Sequence, residues 1–473
     1  LRPTFSTYVH DRWELAPISL GLLLLGGPDR DAAAAKEQNG PPGFGPPPGG
    51  FPPPSGEGRN GPPARFGPPG GFAPPPGGFP PPEGPWNRHP GGFGPPPGFG
   101  GPEANETPRA PRGSSAFIYV DPKSGKVELF DYISAAPRGR QRGFVLHFHK
   151  DRPLNGMTAA SLFFEGNERS LLVEALSYDV YRRAGNAAPL TEFLRLWVDG
   201  QMVGYQLLVE RPNKSFLRRH EVNTQGNLYK LRWFGQGVVG QHKKLTHTQT
   251  GHDDLLAIID LLAKTQSKPD EQWAVIQEHF DVDQVATHFA VNMILAHWDG
   301  FFNNYYTYHD TKKGKWLMYP WDHDQTWGMA MGSEQLLVDL PLTFGMQGAV
   351  APGAAQRPNA PAGPGFGPFG GGGPMWWRPP GYFSGPLLAN PQFRKVFLAR
   401  LRQILDKVYT EQNYFPVIDD MAAQLGDDVA LFAQTRGEDA DSGKRQLSEN
   451  TNLVKSFLRQ RRAYLLSQPE LRD

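Results

Sequence analysis

Acidic and amide side chains are concentrated in residues 297–328, which read HWDGFFNNYYTYHDTKKGKWLMYPWDHDQTWG. Asp299 is followed five positions later by Asn304, and an apolar stretch then leads to Asp322 and Asp324. A carboxylate can orient or accept the proton of an attacking hydroxyl group. Amide and carboxylate oxygens are the hard ligands that Mg²⁺ prefers. Because phosphoryl-transfer enzymes use this Asp, Asn and Asp spacing, the segment predicts a metal-dependent phosphotransferase site.

The end of the same segment allows a second interpretation. Residues 322–326, DHDQT, fit the Asp-x-Asp-x-Thr pattern of haloacid-dehalogenase-type phosphatases. In those enzymes the first Asp is a nucleophile and the second a general acid, and Asp427 or Asp428 could supply later acidic ligands. Such a motif normally opens its domain, however, and this interpretation leaves Asp299 and Asn304 without a role.

Two sets of histidines are candidate zinc ligands. His147 and His149 alternate along one predicted strand, whereas His242, His247 and His252 lie in a polar segment. Neither set has a firm carboxylate partner, so the favoured interpretation is that these histidines are structural or solvated.

The elements that would position the acidic segment fall into two groups. Before residue 240, apolar alternation predicts one helix, residues 168–184, and strands over residues 116–121, 126–132, 143–149, 193–198, 202–209 and 228–233. After residue 240, the spacing predicts helices over residues 253–265, 282–297, 391–409 and 448–467, with Asp281 as an N-cap. Two short strands, 304–309 and 315–319, lie inside the acidic segment. This order predicts an α+β protein in two lobes.

Gly and Pro, 56 and 49 residues, are concentrated in two stretches. Residues 39–112 repeat GPPPGGF-like units without a strict glycine period, which predicts an extended, partly polyproline-II linker. Residues 348–386 predict a surface insert. The predicted organisation is therefore an N-terminal segment, 1–38, the linker, a strand-rich lobe, 113–240, and a helical lobe, 241–473, that contains the insert.

Charge and composition narrow the possible partners. Lys and Arg total 48 and Asp and Glu total 47, so the net charge is +1 and nucleic acid is not an expected partner. The chain has no Cys, which excludes disulfides and thiolate sites. Residues 16–27 are an apolar run too short to span a bilayer, and represent either the core of an export signal or a short hydrophobic helix. Together with the Pro/Gly region, this run favours an extracytoplasmic or cell-surface location over the cytoplasm.

The acidic segment also resembles the signature of the CotH (spore coat protein H) kinase family. The shared features are Trp-Asp-Gly at 298–300, paired Asn at 303–304, Pro-x-Asp-x-Asp at 320–324 and the closing Gly328. Further similar segments extend the resemblance over roughly residues 138–466. They are residues 171–179, 198–210, 226–230 and 457–462.

This resemblance implies a protein-kinase-like fold and ATP-dependent phosphorylation of protein Ser or Thr hydroxyls, with Mg²⁺ or Mn²⁺ as the cofactor. Asp299 would be the catalytic residue, and Asn304 and Asp322 would be metal ligands. Asp324 would be a second ligand or a support of the loop. Glu174 matches the helix Glu that pairs with a phosphate-binding cation in such kinases.

The position of that cation is where the chain departs from the family. The strand that matches residues 143–149 usually carries basic residues, whereas this chain has Val145 and His147 there. Arg142 or Lys230 is then the candidate for the charge that faces the phosphates. The departure also supports a second hypothesis, a catalytically degenerate kinase fold that serves as a surface scaffold or binding protein. We expect a monomer in either case.

Overall fold

The computed structural model describes residues 18–26, 113–121, 123–138, 143–163, 171–232, 237–329, 335–346 and 381–472. The predicted linker, residues 39–112, lies outside these residues, as do residues 348–380 of the predicted insert. The strands within the described residues are β1 (Ser19–Leu24), β2 (Ser115–Asp121), β3 (Lys126–Arg138), β4 (Gly143–His147), β5 (Ala159–Phe163), β6 (Thr191–Val198), β7 (Gln201–Glu210), β8 (Asn227–Leu231), β9 (His242–Lys244), β10 (Tyr305–Asp310) and β11 (Lys315–Pro320). The helices are α1 (Val173–Arg183), α2 (Lys214–Arg219), α3 (Gly237–Gln241), α4 (Asp253–Lys264), α5 (Pro269–His279), α6 (Val282–Ile294), α7 (Ser384–Ala389), α8 (Pro391–Lys407), α9 (Glu411–Thr435) and α10 (Ala440–Ser467).

Seven strands form a closed barrel in the order β1-β2-β3-β4-β5-β7-β6. Neighbouring strands are antiparallel, except that β1 and β6 are parallel where the barrel closes. The interior is filled by apolar side chains such as Phe117, Phe130, Leu146, Leu162 and Leu194. Because side chains alternate along a strand, each barrel strand contributes every second residue to this core.

Strand β1 comes from the apolar run that precedes the Pro/Gly-rich region. Leu23 packs in the barrel interior, whereas Leu22 belongs to an apolar cluster on the outer side. Burial of both faces explains why the run is continuously apolar rather than alternating. Gly21 allows the close approach of Phe117, whose ring would lie 2.8 Å from an added Cβ. The alternative of a short hydrophobic helix is therefore wrong, and the export signal stays a prediction.

A second sheet has the strand order β11-β10-β8-β9, with antiparallel neighbours. β10 and β11 form a hairpin whose register runs from Tyr305 opposite Pro320 to Asp310 opposite Lys315. β8 pairs with β10, and β9 pairs with β8. The sheet therefore contains strands from both sides of residue 240, where the sequence predicted a boundary between lobes.

Helix α6 is buried along most of its length. α6 packs against α8, and the two long helices α9 and α10 pack against each other. A buried ion pair of 2.6 Å between Arg195 of β6 and Asp428 of α9 connects the barrel to the helices. Among the described residues, no helix combines the length and the apolar composition that a membrane span requires.

A strand-rich part followed by a helical part confirms the mixed α and β content that the sequence predicts. A closed barrel, however, is not part of the two-lobed kinase-like fold that was expected. The barrel closes because β1, which lies far from β2 in the sequence, fills the gap between β2 and β6. Residues that precede a long low-complexity stretch give no sign of such distant pairing.

Candidate active site

The candidate site begins where α6 ends. Asp281 caps the first turn of α6, as predicted, by accepting a main-chain hydrogen bond at 3.2 Å. At the other end, the guanidinium of Arg461 donates to the main-chain oxygen of Met293. Arg461 is fully buried, and this burial lowers its pKa to about 10. Because Arg461 also donates to the carbonyls of Val338 and Leu340, it holds the helix end in one position.

Asp299 follows this helix end and is 8% exposed. Its Oδ1 accepts a hydrogen bond from Nδ2 of Asn303, and its Oδ2 accepts one from Nδ2 of Asn304, both at 3.1 Å. Two neutral amide donors therefore orient the carboxylate. A positioned carboxylate can orient a hydroxyl group or accept its proton.

Gly300 explains why the motif is Trp-Asp-Gly. A Cβ at this position would lie 2.3 Å from Nδ1 of His297 and 2.8 Å from Oδ1 of Asn292. Those two atoms are hydrogen-bonded to each other at 3.1 Å, and Nδ2 of Asn292 donates to the main-chain oxygen of Gly300. The backbone beside Asp299 is therefore packed directly against side chains, which only Gly permits.

The β10–β11 hairpin brings the second half of the site to the first. Asn304 directly precedes β10 and Asp322 follows β11 by two positions. The main-chain N–H of Trp321 donates to the oxygen of Asn304 at 3.1 Å, so the two ends of the hairpin are joined. The main chain of Asn304, whose amide bonds Asp299, is thus joined to the residue before Asp322, and a shared metal site for these side chains stays a prediction.

Backbone conformation marks the same segment. Nine non-Gly residues among the described residues have positive φ, and four of them are Ala296, Asn304, Asp322 and Trp327. Asn and Asp tolerate the left-handed region, whereas Ala and Trp are uncommon there. Such residues concentrate where the surrounding structure imposes a functional geometry.

The oxygen atoms of Asn304, Asp322 and Asp324 are of the type that Mg²⁺ prefers, and their binding of a cation stays a prediction. Nδ2 of Asn304 faces Asp299, which leaves the amide oxygen on the other side of the group. Asp322 is exposed, whereas Asp324 is partly buried and accepts a hydrogen bond from Gln325 at 3.0 Å. Within the described part of the chain, no three His, Cys, Asp or Glu residues form a ready-made metal cage. Mg²⁺ usually completes its octahedron with waters and substrate phosphates, so few protein oxygens are sufficient.

Helix α1 contacts the loop that carries these carboxylates, residues 321–327, which we call the acidic loop. The hydroxyl of Tyr178 accepts a hydrogen bond from the main-chain N–H of Asp322 at 3.1 Å and donates to Oε1 of Glu174 at 3.2 Å. The hydroxyl oxygens of Ser177 and Thr326 lie 2.9 Å apart, and Ser177 accepts a hydrogen bond from the indole N–H of Trp327 at 3.1 Å. The predicted helix Glu therefore lies two hydrogen bonds away from the main chain of the predicted metal ligand.

Burial sets the protonation of the groups around this loop. Burial raises the pKa of Tyr178 well above its usual value, and the nearby charges of Glu174 and Asp322 act in the same direction. The phenol therefore stays protonated and remains a hydrogen-bond donor. Burial lowers the pKa of His297 to about 3, and it lowers that of His323 well below the usual range. Both imidazoles are therefore neutral at physiological pH.

Two cations lie over Trp321, the residue before Asp322. Nζ of Lys230 is 4.7 Å from the centre of the indole ring, and the guanidinium of Arg211 is 5.6 Å from it. Arg211 is 8% exposed and donates to the hydroxyl of Ser161 at 3.0 Å. Of the two basic candidates from the sequence, Lys230 lies beside the acidic loop, whereas Arg142 lies outside the described residues.

The structure gives other roles to the residues of the phosphatase interpretation. Thr326 is fully buried, and its hydroxyl donates to the main-chain oxygen of His323 at 2.6 Å. Asp428, proposed as a late acidic ligand, forms the ion pair with Arg195 of the barrel.

Of the histidines considered for zinc, Nδ1 of His242 contacts a main-chain oxygen.

Comparison with known proteins identifies the family of this chain. A family model described as CotH kinase protein matches residues 137–465. The chain belongs to the CotH kinase protein family. This confirms the resemblance inferred from the acidic segment, and the matched range agrees with the 138–466 estimated from the motifs.

A curated relative of this CotH family member is the inner spore coat protein H of Bacillus subtilis (strain 168). The two sequences are 24% identical over 215 residues, which are 42% of this chain and 58% of the relative. The match therefore spans somewhat more than half of the relative's length.

Two residues of the site were missed by sequence reasoning. Tyr178 lies four positions after Glu174, so the two residues share one face of the helix. Because Glu174 was already a candidate, this spacing could have identified Tyr178 as well. Arg211 directly follows strand β7 and carries no local signal. Only its contact with Trp321 identifies it, and that contact depends on how distant strands pack.

Proposed function

We propose that this CotH family member is a protein kinase that transfers the γ-phosphate of ATP to Ser or Thr hydroxyls of a protein, with Mg²⁺ or Mn²⁺. One observation carries the proposal. The carboxylate of Asp299 is held by two Asn amides at the open end of a hairpin whose two ends also deliver Asn304 and Asp322. A proton-accepting group and two oxygen ligands thus come from one short segment.

In the proposed step, Asp299 orients the substrate hydroxyl and receives its proton. The hydroxyl oxygen bonds to the γ-phosphorus while the bond from that phosphorus to the β–γ bridging oxygen breaks, and its electron pair leaves with ADP. Asn304 and Asp322 would hold the divalent cation, with Asp324 as a second ligand or a support of the loop. When bound, the cation neutralises charge on the phosphates.

The cations over Trp321 supply the remaining charge in this proposal. Lys230 and Arg211 approach the indole of Trp321, one residue before the proposed metal ligand Asp322. A basic side chain here would face the anionic phosphates of a nucleotide held at the acidic loop. In this proposal Lys230, one of the two candidates from the sequence analysis, shares the role with Arg211, and Glu174 acts through Tyr178.

The location proposed for this chain follows from its relative. The name of the Bacillus subtilis protein places that protein in the inner spore coat. We infer an extracytoplasmic or surface location for this chain, with a surface-associated protein as the substrate.

The test uses the purified full chain with radiolabelled ATP and Mn²⁺ or Mg²⁺. Transfer of the γ-phosphate to the chain itself or to an added Ser/Thr-rich protein is expected, and Asp299→Ala and Asp322→Ala should each abolish it. Asp427→Ala is the matched control, because Asp427 is an exposed carboxylate of α9 that matters only in the phosphatase interpretation. Full activity in both site variants would overturn the site assignment.

Nucleotide titration separates the kinase from a degenerate scaffold. A kinase should show a rise in the thermal unfolding midpoint with ATP and Mn²⁺ together, because a ligand that binds only the folded state stabilises it. A midpoint that does not respond to ATP with either cation would favour a surface scaffold or binding protein.

A further inference from the structure

One face of helix α1 contacts the acidic loop at several points. Glu174, Ser177 and Tyr178 lie three and four positions apart, so they share one side of the helix. Tyr178 holds the main chain at Asp322, the first position of the loop after Trp321. Ser177 holds the last two positions through Thr326 and Trp327. Both ends of the loop are therefore held by hydrogen-bond contacts to adjacent side chains of one helix.

The opposite side of α1 is fixed by the long C-terminal helices. The hydroxyl of Tyr414 in α9 lies 3.1 Å from Oδ2 of Asp179. The main-chain N–H of Leu172, just before α1, donates to Oδ1 of Asn450 in α10 at 3.3 Å. A shift of α1 relative to the loop would therefore break buried hydrogen bonds on one side or the other, which is costly.

We propose that Tyr178 is a positioning residue. Together with Ser177, it holds helix α1 and the acidic loop in a fixed position relative to each other. The proposal rests on the proposed function for its catalytic consequence, because Asp322 is the proposed metal ligand. The single hydroxyl of Tyr178 joins the helix carboxylate of Glu174 to the main chain of that ligand. Cation and nucleotide binding at the loop should then also rigidify α1, since coupling between two binding equilibria is reciprocal.

Tyr178→Phe removes only the hydroxyl that makes both hydrogen bonds. Tyr319→Phe is the matched control, because Tyr319 is equally buried and its hydroxyl has no hydrogen-bond partner within the described part of the chain. Hydrogen exchange of the nucleotide-free protein is measured for the peptide that covers the acidic loop. Tyr178→Phe should speed exchange at the loop about tenfold, the expected effect of losing a buried hydrogen bond. Tyr319→Phe should leave it unchanged.

Phosphotransfer supplies the second measurement. Because Asp322 would be held less firmly, Tyr178→Phe should raise the KM for Mn²⁺-ATP more than it lowers kcat. If the substitution only lowered stability, the folded fraction of the protein would keep the wild-type KM and kcat. Wild-type protein should also show slower exchange in α1 when Mn²⁺-ATP is added. Unchanged loop exchange and unchanged KM in Tyr178→Phe would overturn the inference.

The two hypotheses fail in different ways. If the wild type does not bind Mn²⁺-ATP, the proposed function fails, and loop exchange still decides whether Tyr178 holds the loop. If the wild type is active and Tyr178→Phe behaves like Tyr319→Phe, the inference alone fails. Should Tyr178→Phe not fold, Ser177→Ala replaces it and should speed exchange at Thr326 and Trp327. Unchanged exchange at these two residues would overturn the inference that Ser177 and Tyr178 together hold the acidic loop.

Discussion

The two carboxylates of the candidate site are held in opposite ways. Asp299 is fixed by neighbours within five positions, Asn303 and Asn304, and by the tight packing of Gly300. The acidic loop with Asp322 is fixed by contacts with α1 across more than 140 positions of the chain. One half of the site is therefore a local structure and the other half is a product of tertiary packing.

This difference has a functional meaning in the proposed kinase. A locally built half keeps its geometry whenever the hairpin is formed, whereas the acidic loop depends on where α1 lies. Any motion of α1 should thus affect the proposed metal ligand before it affects the proposed catalytic residue Asp299.

Asn replacements should separate proton handling from metal binding. Asp299→Asn should lower kcat about 1,000-fold, because the amide cannot accept the hydroxyl proton, while Mn²⁺-ATP binding is kept. Asp322→Asn should weaken Mn²⁺-ATP binding by at least about tenfold in addition to lowering kcat. Isothermal titration calorimetry and single-turnover phosphotransfer measure the two effects separately. Equal loss of nucleotide binding in both variants would show that the halves do not act separately.

The sequence predicted the two strands of the hairpin, which β10 and β11 confirm, and little else of the site. The five-residue spacing from Asp299 to Asn304 and the hairpin that leads to Asp322 are all readable from neighbouring residues. Strand β1 and Arg211 were not, because their partners lie far away in the sequence and packing alone selects them. Arg461 belonged to a matched motif, yet its role at the end of α6 became visible only through its bonds to Met293.

Gly300→Ala tests the local half by overpacking it. The new methyl would lie 2.3 Å from His297 and force Asn292 or the backbone to move. We expect the free energy of unfolding to fall by about 1–3 kcal/mol, with a large loss of phosphotransfer. Gly426→Ala is the matched control, since nothing lies within 4 Å of its added Cβ in α9. The control should gain about 0.5–1 kcal/mol, measured by urea unfolding.

An equal gain of stability in Gly300→Ala and Gly426→Ala would contradict the close packing beside Asp299. Loss of phosphotransfer in Gly300→Ala with unchanged exchange at the acidic loop would support separate halves. Faster exchange at the loop in this variant would show that the local half also holds the distant one.

Arg211→Gln tests the packing-dependent half at its basic side. Loss of a charged hydrogen-bond donor beside the phosphates should raise the KM for Mn²⁺-ATP about tenfold, and Arg211→Lys should recover part of this loss. Arg152→Gln is the control, because Arg152 also lies over an aromatic ring, at 5.8 Å from Phe130, but is exposed and pairs with Asp131. Equal KM values for the Arg211 and Arg152 variants would remove Arg211 from the nucleotide site.

The smallest effect concerns the buried imidazoles near the junction of the two halves. His288 is fully buried against Tyr181 and Tyr305, and burial lowers its pKa to about 3. In the unfolded chain a histidine titrates near pH 6.5, so protonation below that pH favours unfolding. The stabilisation is thus fully present above pH 6.5 and is lost progressively as the pH falls toward 3.

Each such histidine contributes a slope of about 1.4 kcal/mol per pH unit within that window. Urea unfolding of the wild type between pH 7.5 and 5 should therefore show a free energy of unfolding that begins to fall near pH 6.5 and falls faster below it. His288→Phe should show a shallower fall, because one titrating group is gone. Tyr319→Phe should keep the slope of the wild type, since burial raises the pKa of that phenol far above the range. If the free energy of unfolding had the same pH dependence in the wild type and in His288→Phe, His288 would be taking up protons in the folded protein. The imidazole would then be accessible to water.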